Sequence, residues 1–63
     1  MTREEAREQA EIKVFVYFDA QTIVSVSDRL GYKVKISKNG RLLNRSELET
    51  KLIDYYTDLY SKP

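Results

Sequence analysis

From Glu11 to Ser37 the chain alternates apolar and polar residues, EIKVFVYFDAQTIVSVSDRLGYKVKIS. Side chains that change face at every residue are those of a strand, and the run predicts three strands in succession. In the first, Ile12, Val14, Val16 and Phe18 share one face, and Lys13, Phe15, Tyr17 and Asp19 the other. A hairpin loop at Asp19-Ala20-Gln21 sets Val16 opposite Val24, Val14 opposite Val26 and Tyr17 opposite Ile23. A second loop, Asp28 to Tyr32, sets Val26 opposite Val34 and Val24 opposite Ile36, with Gly31 in a left-handed position. A register one residue off would put Lys33 and Lys35 among the valines, so the pattern rejects it. Asn39-Gly40 reads as a type I′ turn. That turn sets Ile36 opposite Leu43 and adds a short fourth strand, Arg41-Leu42-Leu43.

The flanks read as helices. Thr2-Arg3-Glu4-Glu5 has capping-box spacing and opens a helix to about Ala10. That helix offers only Ala6 and Ala10 as apolar contacts, and so short a helix is marginal in isolation. Ser46-Glu47-Leu48-Glu49 is a second capping box, opening a better helix to about Tyr60. Leu48, Leu52, Tyr55 and Leu59 follow one helical face, predicted to lie on the valines. Ile53, Tyr56 and Tyr60 form a neighbouring row that a single small sheet does not need. The expectation is one α+β domain over residues 1–63, in two layers. An antiparallel three- to four-stranded β-meander (11–43) is covered by a C-terminal helix (46–60), with a short N-terminal helix (1–10).

Composition narrows the chemistry. A chain of 63 residues buries only about 60% of its unfolded surface. It has neither cysteine nor histidine, so no disulfide can support it and a zinc site is not expected. Oligomerisation is the support that the composition leaves open. No run approaches the roughly 18 apolar residues of a membrane span, and the N-terminus lacks the apolar core of a signal peptide. A cytoplasmic protein without a membrane segment is expected. No histidine or cysteine is present to act as base or nucleophile near neutral pH. The carboxylates fall on helix surfaces or at turns, and no glycine-rich phosphate loop occurs. The chain is expected not to be an enzyme, with no catalytic residue, metal site or cofactor.

Charge is the more informative feature, because it is segregated. Between Arg29 and Arg45 stand six basic residues and no acidic one, while acids outnumber bases in both flanks, so the net charge of +1 conceals a basic centre. Lys33, Lys35, Lys38, Arg41, Arg45, Arg29 and Lys13 are therefore the candidate nucleic-acid-binding residues, cations for phosphates. Aromatic residues interleaved with lysines on the sheet face, Phe15 and Tyr17, add rings for stacking. The same large side chains, Phe15, Tyr17 and Ile23, also form a patch of the kind that contacts a protein. With Ile53, Tyr56 and Tyr60 they are the candidate interface of a homodimer. The first reading is a small non-enzymatic nucleic-acid-binding accessory or regulatory protein using a basic β-ribbon. The second is a protein-binding module, an inhibitor or adaptor, acting through the exposed aromatic face and homodimerisation.

Overall fold

The computed structural model describes residues 1–62 of the chain, and among them it is helical where strands were expected. Its elements are α1 (Arg3–Ile12), a wide π-helical turn (Lys13–Tyr17), α2 (Ala20–Arg29) and α3 (Arg45–Ser61). The β-meander, and with it the α+β class, is overturned. Among the described residues no strand forms, and the sole remnant of a sheet is one antiparallel bridge, Ile36 with Leu42.

The first capping box forms as its spacing predicts. The Thr2 side chain accepts from the Glu5 N–H at 3.2 Å, and a Glu5 carboxylate oxygen accepts from the Thr2 N–H at 3.2 Å. The helix does not stop at Ala10. It runs on because Ala6, Ala10 and Val14 recur every fourth residue, and all three are fully buried. Small residues on that stripe let α3 approach closely, and the two helices lie antiparallel: Arg3 bonds Asp58 at 2.8 Å, and Arg7 lies 3.7 Å from Asp54. The turn then widens, the Phe18 N–H donating to the Lys13 carbonyl five residues back at 3.1 Å.

Asp19, expected in a hairpin loop, is instead the N-cap of α2, its carboxylate accepting from the Thr22 N–H at 2.8 Å. The helix buries Ile23 and Ser27, with Val26 and Leu30 packed beside them. That is an i, i+3, i+4, i+7 stripe. It ends in a Schellman motif: Tyr32 N–H donates to the Ser27 carbonyl at 2.8 Å and Gly31 N–H to that of Asp28 at 3.1 Å. Gly31 takes the left-handed φ of +84° that the motif requires. The left-handed position is where the sequence puts it, but it closes a helix rather than a hairpin.

Residues 30–44 form an arm between α2 and α3. Its turn differs from the type I′ expectation, since only Gly40, at φ +79°, is left-handed there. Gly40 N–H donates to the Ser37 carbonyl and Ser37 N–H to that of Arg41. This is a three-residue loop closed by a glycine bulge, and its extra residue moves Ile36 opposite Leu42 instead of Leu43. The base of the arm is clamped by Asn44, whose side chain accepts from the Lys35 N–H at 3.0 Å and donates to the Lys33 carbonyl at 2.9 Å.

The second capping box does not form. Asn44 is the N-cap position, α3 starts at Arg45, and no side chain caps it. Along α3 the buried residues are Leu48, Leu52, Ile53 and Thr57, while Tyr55 and Leu59 are exposed. Of the row that seemed surplus, Ile53 is buried in the core and Tyr56 and Tyr60 pack against it. The core is Ala10, Val14, Ile23, Leu48, Leu52 and Ile53, ringed by Phe18, Val26, Leu30, Tyr32, Val34, Leu42, Tyr56 and Tyr60. Burying each of the large aliphatic side chains contributes about 1.5–3 kcal/mol. The result measures 42 × 21 × 14 Å. No helix among the described residues is long and apolar enough to cross a membrane.

Candidate nucleic-acid interface

The arm holds most of the candidate cations. Along its first limb exposure alternates: Tyr32 and Val34 are half-buried against the core, and Lys33 and Lys35 are exposed. The alternation runs from Tyr32 to Lys35, where Tyr32 and Val34 take the apolar side while the lysine ammonium groups stay hydrated, and fails at Ile36, expected on the core face but 52% exposed. Lys38 stands at the turn and Arg41 on the return limb, both exposed. Arg29 lies in the last turn of α2, where its charge suits the helix dipole. Arg45 begins α3.

Ion pairing divides the basic residues. Arg3 and Arg7 pair across α1 and α3, Arg45 lies 3.8 Å from Glu49, and Lys51 lies 4.0 Å from Glu47. Among the described residues, Arg29, Lys33, Lys35, Lys38 and Arg41 pair with no carboxylate. α1 and α3 neutralise their arginines, whereas the arm and the end of α2 leave their cations unpaired.

Lys13 is separated from this group. Its ammonium lies 5.2 Å from the Tyr56 ring centroid and 5.8 Å from that of Phe18, a cation–π arrangement between the wide turn and α3. Tyr56 stacks on Tyr60 and meets Phe18 and Tyr55 edge-on. Partial burial in this cluster pushes the Tyr56 phenol above its ordinary value, against the pull of Lys13. Tyr56 and Tyr60 are therefore largely engaged within the molecule. Ile23 and Ile53, expected at an interface, are buried in the core instead. A helix turns them inward where a strand would have turned Ile23 out.

Of the expected interface, Phe15 and Tyr17 do stand in solvent, 55% and 76% exposed. Val16 and Ile12, assigned by the strand reading to the buried face, join them at 70% and 40%. The sequence carries a signal for this: with Ala6 and Ala10 fixing the buried stripe, Val14 continues it at i+4, and Ile12 and Val16, two residues to either side, must point away. Asn44, which sets the arm, carries no such signal, since its role depends on the folded arm returning to it.

Comparison with known proteins finds no matching family model, curated protein or solved structure.

Proposed function

We propose that this is a small, non-enzymatic nucleic-acid-binding protein whose contact surface is the basic arm. The observation that carries the reading is the row of unpaired cations, Arg29, Lys33, Lys35, Lys38 and Arg41, in a chain that pairs its other arginines. An exposed cation with no internal partner exchanges its counterions for phosphates on binding, and that release supplies the affinity. Tyr32 and Val34 pack on the core while Lys33 and Lys35 are exposed, so these cations stand on the side of the arm that a phosphate backbone can reach. Asn44 holds its base in place, so little ordering remains to be done on binding. The cytoplasm is the compartment that this reading implies.

Titration of fluorescent duplex and single-stranded oligonucleotides at several salt concentrations tests it. With five phosphate contacts the logarithm of affinity should fall against the logarithm of salt with a slope of about −4 to −5 for a duplex. Lys33→Glu with Lys35→Glu should abolish binding at an unchanged helical circular dichroism spectrum. Arg41→Gln should flatten the slope by about one unit. No affinity for any oligonucleotide at low salt would refute the proposal. A second reading, a protein-binding module acting as inhibitor or adaptor, is favoured by the exposure of Phe15 and Tyr17. It would survive the double lysine reversal and be lost with Tyr17→Ala.

A further inference from the structure

We propose that the face around the wide turn of the first helix is a contact between two copies of this chain, packed about a twofold axis. Three consecutive apolar residues, Phe15, Val16 and Tyr17, are exposed by more than half, and Ile12, one turn earlier, is 40% exposed. A soluble surface does not ordinarily carry such a run unless something covers it. The backbone is unusual at the same place. π-helical turns are rare and cluster at functional sites, and this one occupies Lys13–Tyr17.

The surface has both parts of a self-complementary joint. Beside the projecting residues lies an open recess of about 300 Å³, lined by Met1, Gln9, Ile12, Lys13, Tyr17 and Tyr60. Ile12 and Tyr17 belong to both recess and projection. A twofold contact requires one patch to accept its own copy, residue i meeting j while j meets i. A projection adjoining a recess meets that requirement: Val16 or Phe15 of each copy enters the recess of the other.

Area selects the second copy as occupant. With Met1, the exposed apolar side chains here present about 500–600 Å² per copy, taking 150–250 Å² for each fully exposed aromatic and somewhat less for the aliphatics. Two copies then bury about 1,000–1,200 Å², which reaches the roughly 1,000 Å² of a specific interface. The monomer also has reason to associate, since among the described residues seven apolar side chains are buried, two of them alanines. This inference does not depend on the arm's binding nucleic acid.

Sedimentation equilibrium of the full chain, without nucleic acid, from low micromolar to millimolar concentration tests it. The wild type should dimerise, and Val16→Glu should weaken the dimer about thirtyfold or more, as loss of a central anchor does, with helical circular dichroism retained. If Val16→Glu loses its helicity, Tyr17→Lys, at the most exposed of these positions, serves in its place with the same expectation. Lys35→Glu on the arm should leave the dimer unchanged. A wild type that stays monomeric throughout overturns the proposal. So does a dimer that survives Tyr17→Lys and Val16→Glu, or one that Lys35→Glu disrupts equally.

Discussion

Ser27 is fully buried in α2, and its hydroxyl oxygen has no hydrogen-bond partner. Replacing it with alanine should stabilise the protein. Three terms set the size. A buried hydroxyl left unsatisfied costs about 1–3 kcal/mol. Alanine gains about 0.5 kcal/mol over serine in a helix interior. The void left by one oxygen, on the order of 20 Å³, returns about 0.5 kcal/mol at roughly 24 cal/mol per Å³. The net gain is about 1–3 kcal/mol, and at roughly 4–8 °C per kcal/mol for so small a domain Tm should rise by at least about 4 °C. Ser25 supplies the control. It is exposed on the same helix, so Ser25→Ala should gain the propensity term alone, about 0.5 kcal/mol. The difference between the two variants isolates the buried oxygen. Thermal and urea unfolding followed by circular dichroism measure both. Were this segment a strand, Ser25 and Ser27 would share one face and the substitutions would act alike. Equal effects, or a destabilised Ser27→Ala, would refute the reasoning.

Two further outcomes are expected. Asn44→Ala removes the clamp on Lys33 and Lys35, so the Lys35 amide should lose its protection from hydrogen exchange while global stability falls by only about 1 kcal/mol. The acid limb of stability should depend on the caps. Hydrogen bonds from Thr2 hold the Glu5 carboxyl below its ordinary 4.5, and those from Thr22 hold Asp19 below 3.8. The unfolded chain then binds more protons near pH 4, so stability is complete above these ordinary values and is lost as pH falls through the lower folded ones. Asp19→Asn keeps a capping oxygen but does not titrate. Its unfolding midpoint should therefore be less sensitive to acid below pH 4, as measured by urea titration across that range.

The helices at either end were legible because their cues are local: the Thr2–Glu5 box, and the Leu48 to Leu52 spacing. The centre was not, for a geometric reason. Residues four apart share a face in a strand and in a helix alike, so Ala10 and Val14, or Ile23 and Ser27, cannot tell the two apart. Only residues two apart discriminate. Val14 is fully buried while Val16 is 70% exposed, and the sequence separates the two valines only once the Ala6 and Ala10 stripe is carried past Ala10 as a helix. β-branched residues added to the strand reading, yet propensity is a weak prior that packing overrides. Asp19 and Gly31 signal a change of direction in either reading, since one residue type caps helices and closes hairpins. The clustering of charge was legible because it does not depend on the fold: Lys33, Lys35, Lys38 and Arg41 lie on one short arm, whose own sequence keeps them adjacent. Lys13 was grouped with them only through a sheet that does not form.

The wide turn after α1 holds one residue more than an α-helical turn would. If any one of Phe15, Val16 or Tyr17 were deleted, the Phe18 N–H could still close on the Lys13 carbonyl, now four residues back, as an ordinary α-helical bond. Val14 would keep its place in the core and Asp19 its place at the head of α2. The residue lost would come only from the apolar surface. One residue of the exposed apolar run is thus the whole difference between this wide turn and an ordinary helical one, and the scaffold on either side does not depend on it.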